Sequence, residues 1–402
     1  MAMKPDGKMM QWMRGVRRTL HQRPELAYQE KQTAAFLERE LSRLEIPYRA
    51  GVAGTGIIAE VGVPAISDDS PCVALRADMD GIPLDEESGL PFASRNKGVM
   101  HACGHDGHMA MLLGAAALLQ REKLPGRVRL LFQPAEESGN GAERMIRAGA
   151  LDGVRMIFAG HVDIHYPVGR ITVDPGLVCS YTDPFTISIR GRGGHAAWPH
   201  EAVDSVVVAS NLIMSLQTLV SREINPVFPA VVTVGRVEAG TVHNVIAERA
   251  VIDGTVRSTH PETRRRLLDG LHRMIQGAAA MSGARIELHL LAGLPAVIND
   301  PAAAAVARQA AVEVVGEEGV ISQDRPSLGG EDFAFYLNNV PGCLVRFGAR
   351  LEEPGCGLAH SSRFNFNEEV FGPGAGWLAR VAVLGLNHVL EQHLREAARG
   401  QD

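Results

Sequence analysis

The stretch "DPFTISIRGRGG", Asp183 to Gly194, decides how the chain divides. It alternates apolar and polar residues with the period of a half-buried strand and then breaks on glycines. A helical segment, "EAVDSVVVASNLIMSLQTLVS" (201–221), follows it. Two strands come next, "AVVTVGRVEAG" (230–240) and "AERAVIDGTVRST" (247–259). A second helix, "PETRRRLLDGLHRMIQGAAA" (261–280), and a strand, "ARIELHLL" (284–291), complete the series. The order β-α-β-β-α-β predicts a ferredoxin-like α+β module, a self-sufficient sheet with helices on one face. Residues 181–294 are therefore expected to be an insertion, with 1–180 and 295–402 forming one discontinuous domain, because insertions succeed at exposed loop tips.

Outward from the insertion the rhythm differs. A helix is expected around Lys8 to Leu20, and "RPELAYQEKQTAAFLERELSRL" (23–44) continues with helical periodicity. "TGIIAEVG" (55–62) and "PCVALRAD" (71–78) read as short buried strands, "HDGHMAMLLGAAALLQREK" (105–123) as a helix. "GRVRLLFQPAEESGNG" (126–141) is a strand running into a loop, and "RMIFAGHVDI" (155–164) is a strand with a polar residue at its exit. Such alternation predicts an α/β layer with a largely parallel sheet.

A chain of 402 residues exceeds the size at which single cores stop growing, which favours two domains. Apolar residues at 46% and charged residues at 21% exclude long disorder and fibrous repeats. A net charge of -6 without a long basic run argues against nucleic acid or an anionic membrane as partner; Arg264, Arg265 and Arg266 are expected on a solvated helix face. No apolar run reaches membrane-spanning length, and the first residues, with Lys4, Asp6, Lys8 and Arg14, lack a signal peptide's apolar core. The expected location is cytoplasmic. Five scattered cysteines (Cys72, Cys103, Cys179, Cys343, Cys356) do not form a disulfide framework, so reduced thiols are expected.

Divalent metals take imidazole, thiolate and carboxylate ligands, and sites in α/β sheets gather where loops leave strand carboxyl ends. Candidates stand at such exits: Asp78 and Asp80 in "LRADMD", Cys103 and His105 in "MHACGHDGHM", Glu136 and Glu137 after "RLLFQPA", His161 after "MIFAG", and His360 in "GCGLAHSSRF". Each alone has an ordinary reading. A Cys-x-His pair can be structural, and a Glu pair can be a solvated helix start. Cys103 with His105 as its base could also make a thiol nucleophile.

The motifs "HQRPELAYQE", "LRADMDGIPL", "MHACGHDGHMA", "LLFQPAEE", "GGHAAWPH" and "HNVIAE" occur in one order along the chain. Together they resemble the amidohydrolase branch of the M20 metallopeptidases, which includes hippurate hydrolases, N-acyl-amino-acid deacylases and auxin-conjugate hydrolases. The resemblance runs from about residue 14 to residue 390. It implies a zinc-exopeptidase-like catalytic domain, with a mixed sheet flanked by helices, plus an inserted dimerisation or lid domain.

It also implies two divalent ions per subunit, Zn or Mn first and Co or Ni as alternatives, held by Cys103, His105, Glu137, His161 and His360. Glu136 stays off the metals as general base, taking a proton from metal-activated water and passing it to the departing amine. Asp80 matches an acidic residue that orients a ligand imidazole. Asp78 stands where related peptidases carry a metal-binding His and is expected to be structural. His195 is implied to cross the interface of a homodimer and donate to the oxyanion in the partner's site. Asn244 matches a residue near the substrate.

An N-acyl amino acid ends in a carboxylate, for which Arg257 is the candidate partner, a surface arginine being the alternative. "LGGEDF" (328–333) resembles a pocket-lining loop, in which Glu331 is expected to start a helix, contact with substrate being the alternative. His101, His108, His165 and His200 have no ligand role and are expected behind the ligands or at the surface. The implied reaction is hydrolysis of N-acyl amino acids to a carboxylic acid and a free amino acid. The rivals are a dipeptidase or carbamoyl amidohydrolase on the same scaffold and a binding protein that lost catalysis.

Overall fold

The structure is a computed structural model describing residues 3–62, 70–352 and 357–399; Cys356, counted above among the thiols, lies outside the described residues. The chain forms two compact units. The first comprises residues 1–178, 298–325 and 332–402, the second 179–297 and 326–331.

Helix α1 (Gly7–His21) starts where the Asp6 carboxylate accepts from the Met9 amide, and its Met9, Met13, Val16 and Leu20 face the core at helical spacing. The helix expected to run through 23–44 begins only at Lys31: α2 spans Lys31–Arg43. Pro24 and the left-handed backbone of Tyr28 (φ 61°) interrupt it, and Leu26 instead forms a bridge with Gly81. Helix α3 (His105–Leu119) is buried on every side. Its all-round apolar sequence is what a helix enclosed by protein requires. A short helix, α4 (Gly141–Arg147), follows.

The large sheet uses β1 (Tyr48–Val52), β2 (Gly56–Val61), β3 (Cys72–Asp78), β4 (Arg127–Gln133), β5 (Val154–Asp163) and β6 (Ile171–Thr172). The strands Val320–Ile321 and Gly342–Gly348 join them. Across the sheet the order is β1-β2-β4-β3-β5, then Gly342–Gly348, β6 and Val320–Ile321. The centre is parallel, since β3 pairs that way with β4 and β5, and β5 with Gly342–Gly348. Antiparallel pairs at β1/β2, β2/β4 and Gly342–Gly348/β6 make the sheet mixed rather than largely parallel. Strands β3 and β4 are buried throughout; β3 was expected to be, whereas β4 buries Arg127, Arg129 and Gln133 among its apolar residues. Phe158 and Phe347 meet Trp377 edge to face beneath the sheet, at ring separations of 6.4 and 5.5 Å.

The second unit holds a four-stranded antiparallel sheet in the order Ala230–Ala239, Arg249–Ser258, Tyr181–Arg190, Arg285–Leu290. Numbered along the chain, that is the 2-3-1-4 arrangement of a split βαβ pair. Helices Ser205–Thr218 and Pro261–Ser282 supply Leu212, Leu216, Leu267 and Leu271 to a core with Phe185, Ile187 and Ile189. Arg264 is not simply solvated: it pairs with Asp183 at 2.6 Å and lies over the Tyr181 ring. Arg265 and Arg266 pair with Glu262 on the exposed face.

Candidate metal centre

The carboxyl ends of β3, β4 and β5 adjoin one another in the first unit, and the amino end of α3 meets them. Strand β3 ends on Asp78, with Asp80 two residues beyond; β4 is followed by Glu136 and Glu137; His161 is among the last residues of β5 rather than past it. Gly104, at φ 90°, makes the sharp entry to α3 that sets Cys103 and His105 side by side. His360 sits in a loop at φ 64°, its amide donating to the Ala102 carbonyl at 2.8 Å.

These residues converge. Cys103 Sγ is 3.4 Å from His161 Nε2, and Glu137 Oε1 is 3.3 Å from His360 Nε2. His105 Nε2 lies 3.9 Å from Glu136 Oε2 and 4.0 Å from Glu137 Oε1. Ligand atoms of Cys103, His105 and His161 form one group within 4.8 Å of one another, and those of Cys103, Glu137 and His360 form another. The sulfur belongs to both.

Hydrogen bonds fix which ring nitrogens face this space. His105 Nδ1 donates to the Asp80 carbonyl at 2.9 Å, and His161 Nδ1 to the Val162 carbonyl at 2.7 Å. With the ring neutral, each therefore presents a bare Nε2 lone pair. Among the described residues, His105 Nε2 is buried without a hydrogen-bond partner, and Glu137 Oε1 is buried with only the ion-pair contact to His360 at 3.3 Å. Buried polar atoms are rarely left so, and a cation between them would satisfy both. A thiolate, three imidazoles and a carboxylate are also a suitable donor set for divalent transition metals. Burial, with His108 and Arg346 nearby, holds His161 well below the usual histidine range, which keeps its lone pair available. Against the cost of burial, His360 and His105 hold Glu137 below the usual carboxylate range.

Asp80 acts through backbone as well as ring. Its two carboxylate oxygens accept from the amides of Glu136 (3.1 Å) and Glu137 (3.0 Å), and one lies 3.3 Å from His105 Nδ1. Asp78 is buried between Arg76 Nη1 (2.6 Å) and His108 Nδ1 (2.6 Å). A buried polar frame not foreseen from the sequence surrounds the site. Arg76 binds Gln133 and Asp332 as well as Asp78, and Asp332 accepts from the Ala142 amide. Only the i, i+3 spacing of His105 and His108, which puts both on one helix face, hinted at it.

The sequence profile of peptidase family M20/M25/M40 matches residues 74–383. The chain belongs to this family. It is 40% identical to N-acetyl-L-cysteine deacetylase of Bacillus subtilis (strain 168) over 83% of this chain and 79% of that one. It is 38% identical to IAA-amino acid hydrolase ILR1-like 5 of Arabidopsis thaliana, over 92% and 86% of the two. Among solved structures it resembles the Bacillus subtilis YXEP protein, described as a dinuclear metal-binding peptidase of the M20 family. The TM-score is 0.81 and the identity 36%, covering 95% of this chain and 99% of that one.

Elsewhere in this M20 chain, the second unit carries the remaining candidates. His195 is exposed in a two-residue strand, Gly194–His195, paired with Val245–Ile246. The Ala197 amide donates to His195 Nδ1 at 3.1 Å, and the Trp198 ring lies 5.2 Å from the imidazole. The bare Nδ1 leaves the proton on Nε2, so the exposed nitrogen is a donor. Asn244 is exposed on the facing segment, its carbonyl accepting from the Ala196 amide. Arg257 is half-buried and donates through Nη1 to the Leu328 carbonyl at 2.9 Å. Glu331 does not start a helix: it is buried, and the helix Ala334–Leu337 begins three residues later. His165 and His200 are surface residues, whereas His101 and His108 are buried.

Proposed function

We propose that this chain hydrolyses the amide bond of N-acyl amino acids, releasing a carboxylic acid and a free amino acid. The carrying observation is the sharing of Cys103 between two groups of candidate ligands, with Glu136 beside them and His105 Nε2 buried without a hydrogen-bond partner. Cys103, His105, Glu137, His161 and His360 would hold two divalent ions. When bound, these ions polarise the scissile carbonyl and acidify water. The thiolate favours Zn over Mg or Ca, with Mn, Co and Ni also within reach of imidazole and carboxylate ligands.

Glu136 is the general base. Asp80 pins its backbone, and its Oε2 stays close to the ligand cluster without being needed to complete either group. It takes a proton from the attacking water, whose oxygen bonds to the carbonyl carbon. The same proton then goes to the nitrogen as the C–N bond breaks, leaving a neutral amine able to depart.

The module around 181–294 serves as a homodimer interface in this reading, and His195 donates from Nε2 to the oxyanion formed in the partner subunit's site. One such donor contributes roughly 10²- to 10³-fold in rate. Asn244 and Arg257 contact the amino-acid half of the substrate, Arg257 through its carboxylate. The names of the relatives support an acylated amino acid over other amides. The free thiols Cys72, Cys103, Cys179 and Cys343 suit a cytoplasmic setting.

A panel of N-acetyl, N-benzoyl and indole-acyl amino acids alongside dipeptides tests this reading. Turnover of acyl amino acids, abolished by a chelator and restored by a divalent ion, is expected. Exclusive dipeptide cleavage would overturn the substrate assignment. Turnover insensitive to chelation would instead favour Cys103 as a nucleophile.

A further inference from the structure

We infer that His108 is a positioning residue for His161, acting through the backbone of Val162. Past the last pair between β3 and β5, Arg76 with Ala159, the Val162 backbone turns to side chains. Its N–H donates to His108 Nε2 at 2.9 Å, and its carbonyl accepts from His161 Nδ1 at 2.7 Å. One residue thus links the two imidazoles.

The donor at Val162 is an amide and cannot change roles, so His108 Nε2 must be bare and its proton must sit on Nδ1. That proton goes to Asp78 Oδ1 at 2.6 Å, and Arg76 holds the other Asp78 oxygen at 2.6 Å. The rings of His108 and His161 meet edge to face, 4.6 Å apart, which limits rotation of both. His108 is 3% exposed and has both nitrogens engaged. It therefore cannot itself be a ligand, although Asp78, His105 and His108 stand close enough to look like a third metal group. Its effect is to lock Val162, and hence the tautomer and aim of His161 toward Cys103.

This inference rests on the proposal that His161 binds metal, and its test reads metal affinity in the metal-free protein rather than turnover. A glutamine amide sits near the imidazole Nε2 and an asparagine amide near Nδ1. His108→Gln accordingly keeps the acceptor for Val162, while His108→Asn keeps only the donor to Asp78. Zn²⁺ is titrated into wild type and both variants against a chromophoric chelator.

The expected result is that His108→Asn weakens one of two bound ions by about 10- to 100-fold while His108→Gln stays within about threefold of wild type. Wild-type affinity in His108→Asn, or equal loss in both variants, would overturn the inference. If His108→Asn does not fold, His108→Gln decides alone, and a tenfold loss there overturns it. A wild-type protein that binds no Zn²⁺ would refute the metal reading of the site and this inference together.

Discussion

Cys103 Sγ and His161 Nε2 approach to 3.4 Å although 58 residues separate them, and the same sulfur belongs to a second group with Glu137 and His360. In the proposed site, removing a shared ligand would therefore disturb both ions, whereas removing an unshared one would disturb a single ion. Cys103→Ala is expected to retain well under one ion per subunit after gel filtration, and His360→Ala about one, by elemental analysis. Equal metal content in the two variants would contradict the sharing.

Asp80 holds two successive amides and stands beside one ring, so its loss should loosen Glu136 without emptying the site. Asp80→Asn replaces one acceptor oxygen by a donor facing an amide N–H. A fall in kcat of about 10- to 100-fold, with KM within a few-fold, is expected in steady-state assays. An unchanged kcat would remove Asp80 from the mechanism.

Gly104 is required sterically as well as conformationally. A Cβ there would lie 2.3 Å from Val162 Cγ2, on a backbone at φ 90°. Gly104→Ala is expected to lower unfolding free energy by about 2–4 kcal/mol, combining left-handed strain with overpacking. Urea denaturation measures it, and a loss below about 0.5 kcal/mol would mean the loop yields freely.

His21 is buried, with Asp106 at 2.8 Å and Glu86 at 3.2 Å; Arg17 and His101 also face the cluster. Burial opposes its charge, but the hydrogen bonds it donates to Asp106 and Glu86 prevail and push its pKa up to about 9. Because the folded value exceeds the unfolded one near 6.5, the stabilisation is complete below about pH 6.5 and disappears as pH rises through about 9. Its size is on the order of 3 kcal/mol. Denaturation midpoints from pH 6 to 10 should fall for wild type, and His21→Gln should flatten that dependence. Parallel profiles would contradict it.

Much of this architecture was legible because local chemistry and local geometry coincide. Cys103 and His105, one residue apart just ahead of a helical pattern, marked one candidate cluster, and the short apolar segments 55–62 and 71–78 announced buried strands. The alternation around 181–291 likewise foreshadowed a separate sheet. Strand direction was not legible, since periodicity is the same for β2 whether it runs with β4 or against it. Nor was the late start of α2 at Lys31, since helical spacing runs on from residue 23 through Pro24 and Tyr28 although their backbone cannot follow it. The Arg76, Asp78, His108 and Asp332 frame stayed hidden because its partners lie up to 256 residues apart, and only folding brings them together.

The central claim is that Glu136 moves the proton while its neighbours hold the metals. Glu136→Gln, loaded with divalent ion, assayed on an N-acyl amino acid and analysed for metal in the same sample, tests it most directly. Wild-type metal content with kcat lowered by roughly 10²- to 10⁴-fold is expected. Full turnover at full metal content would contradict it.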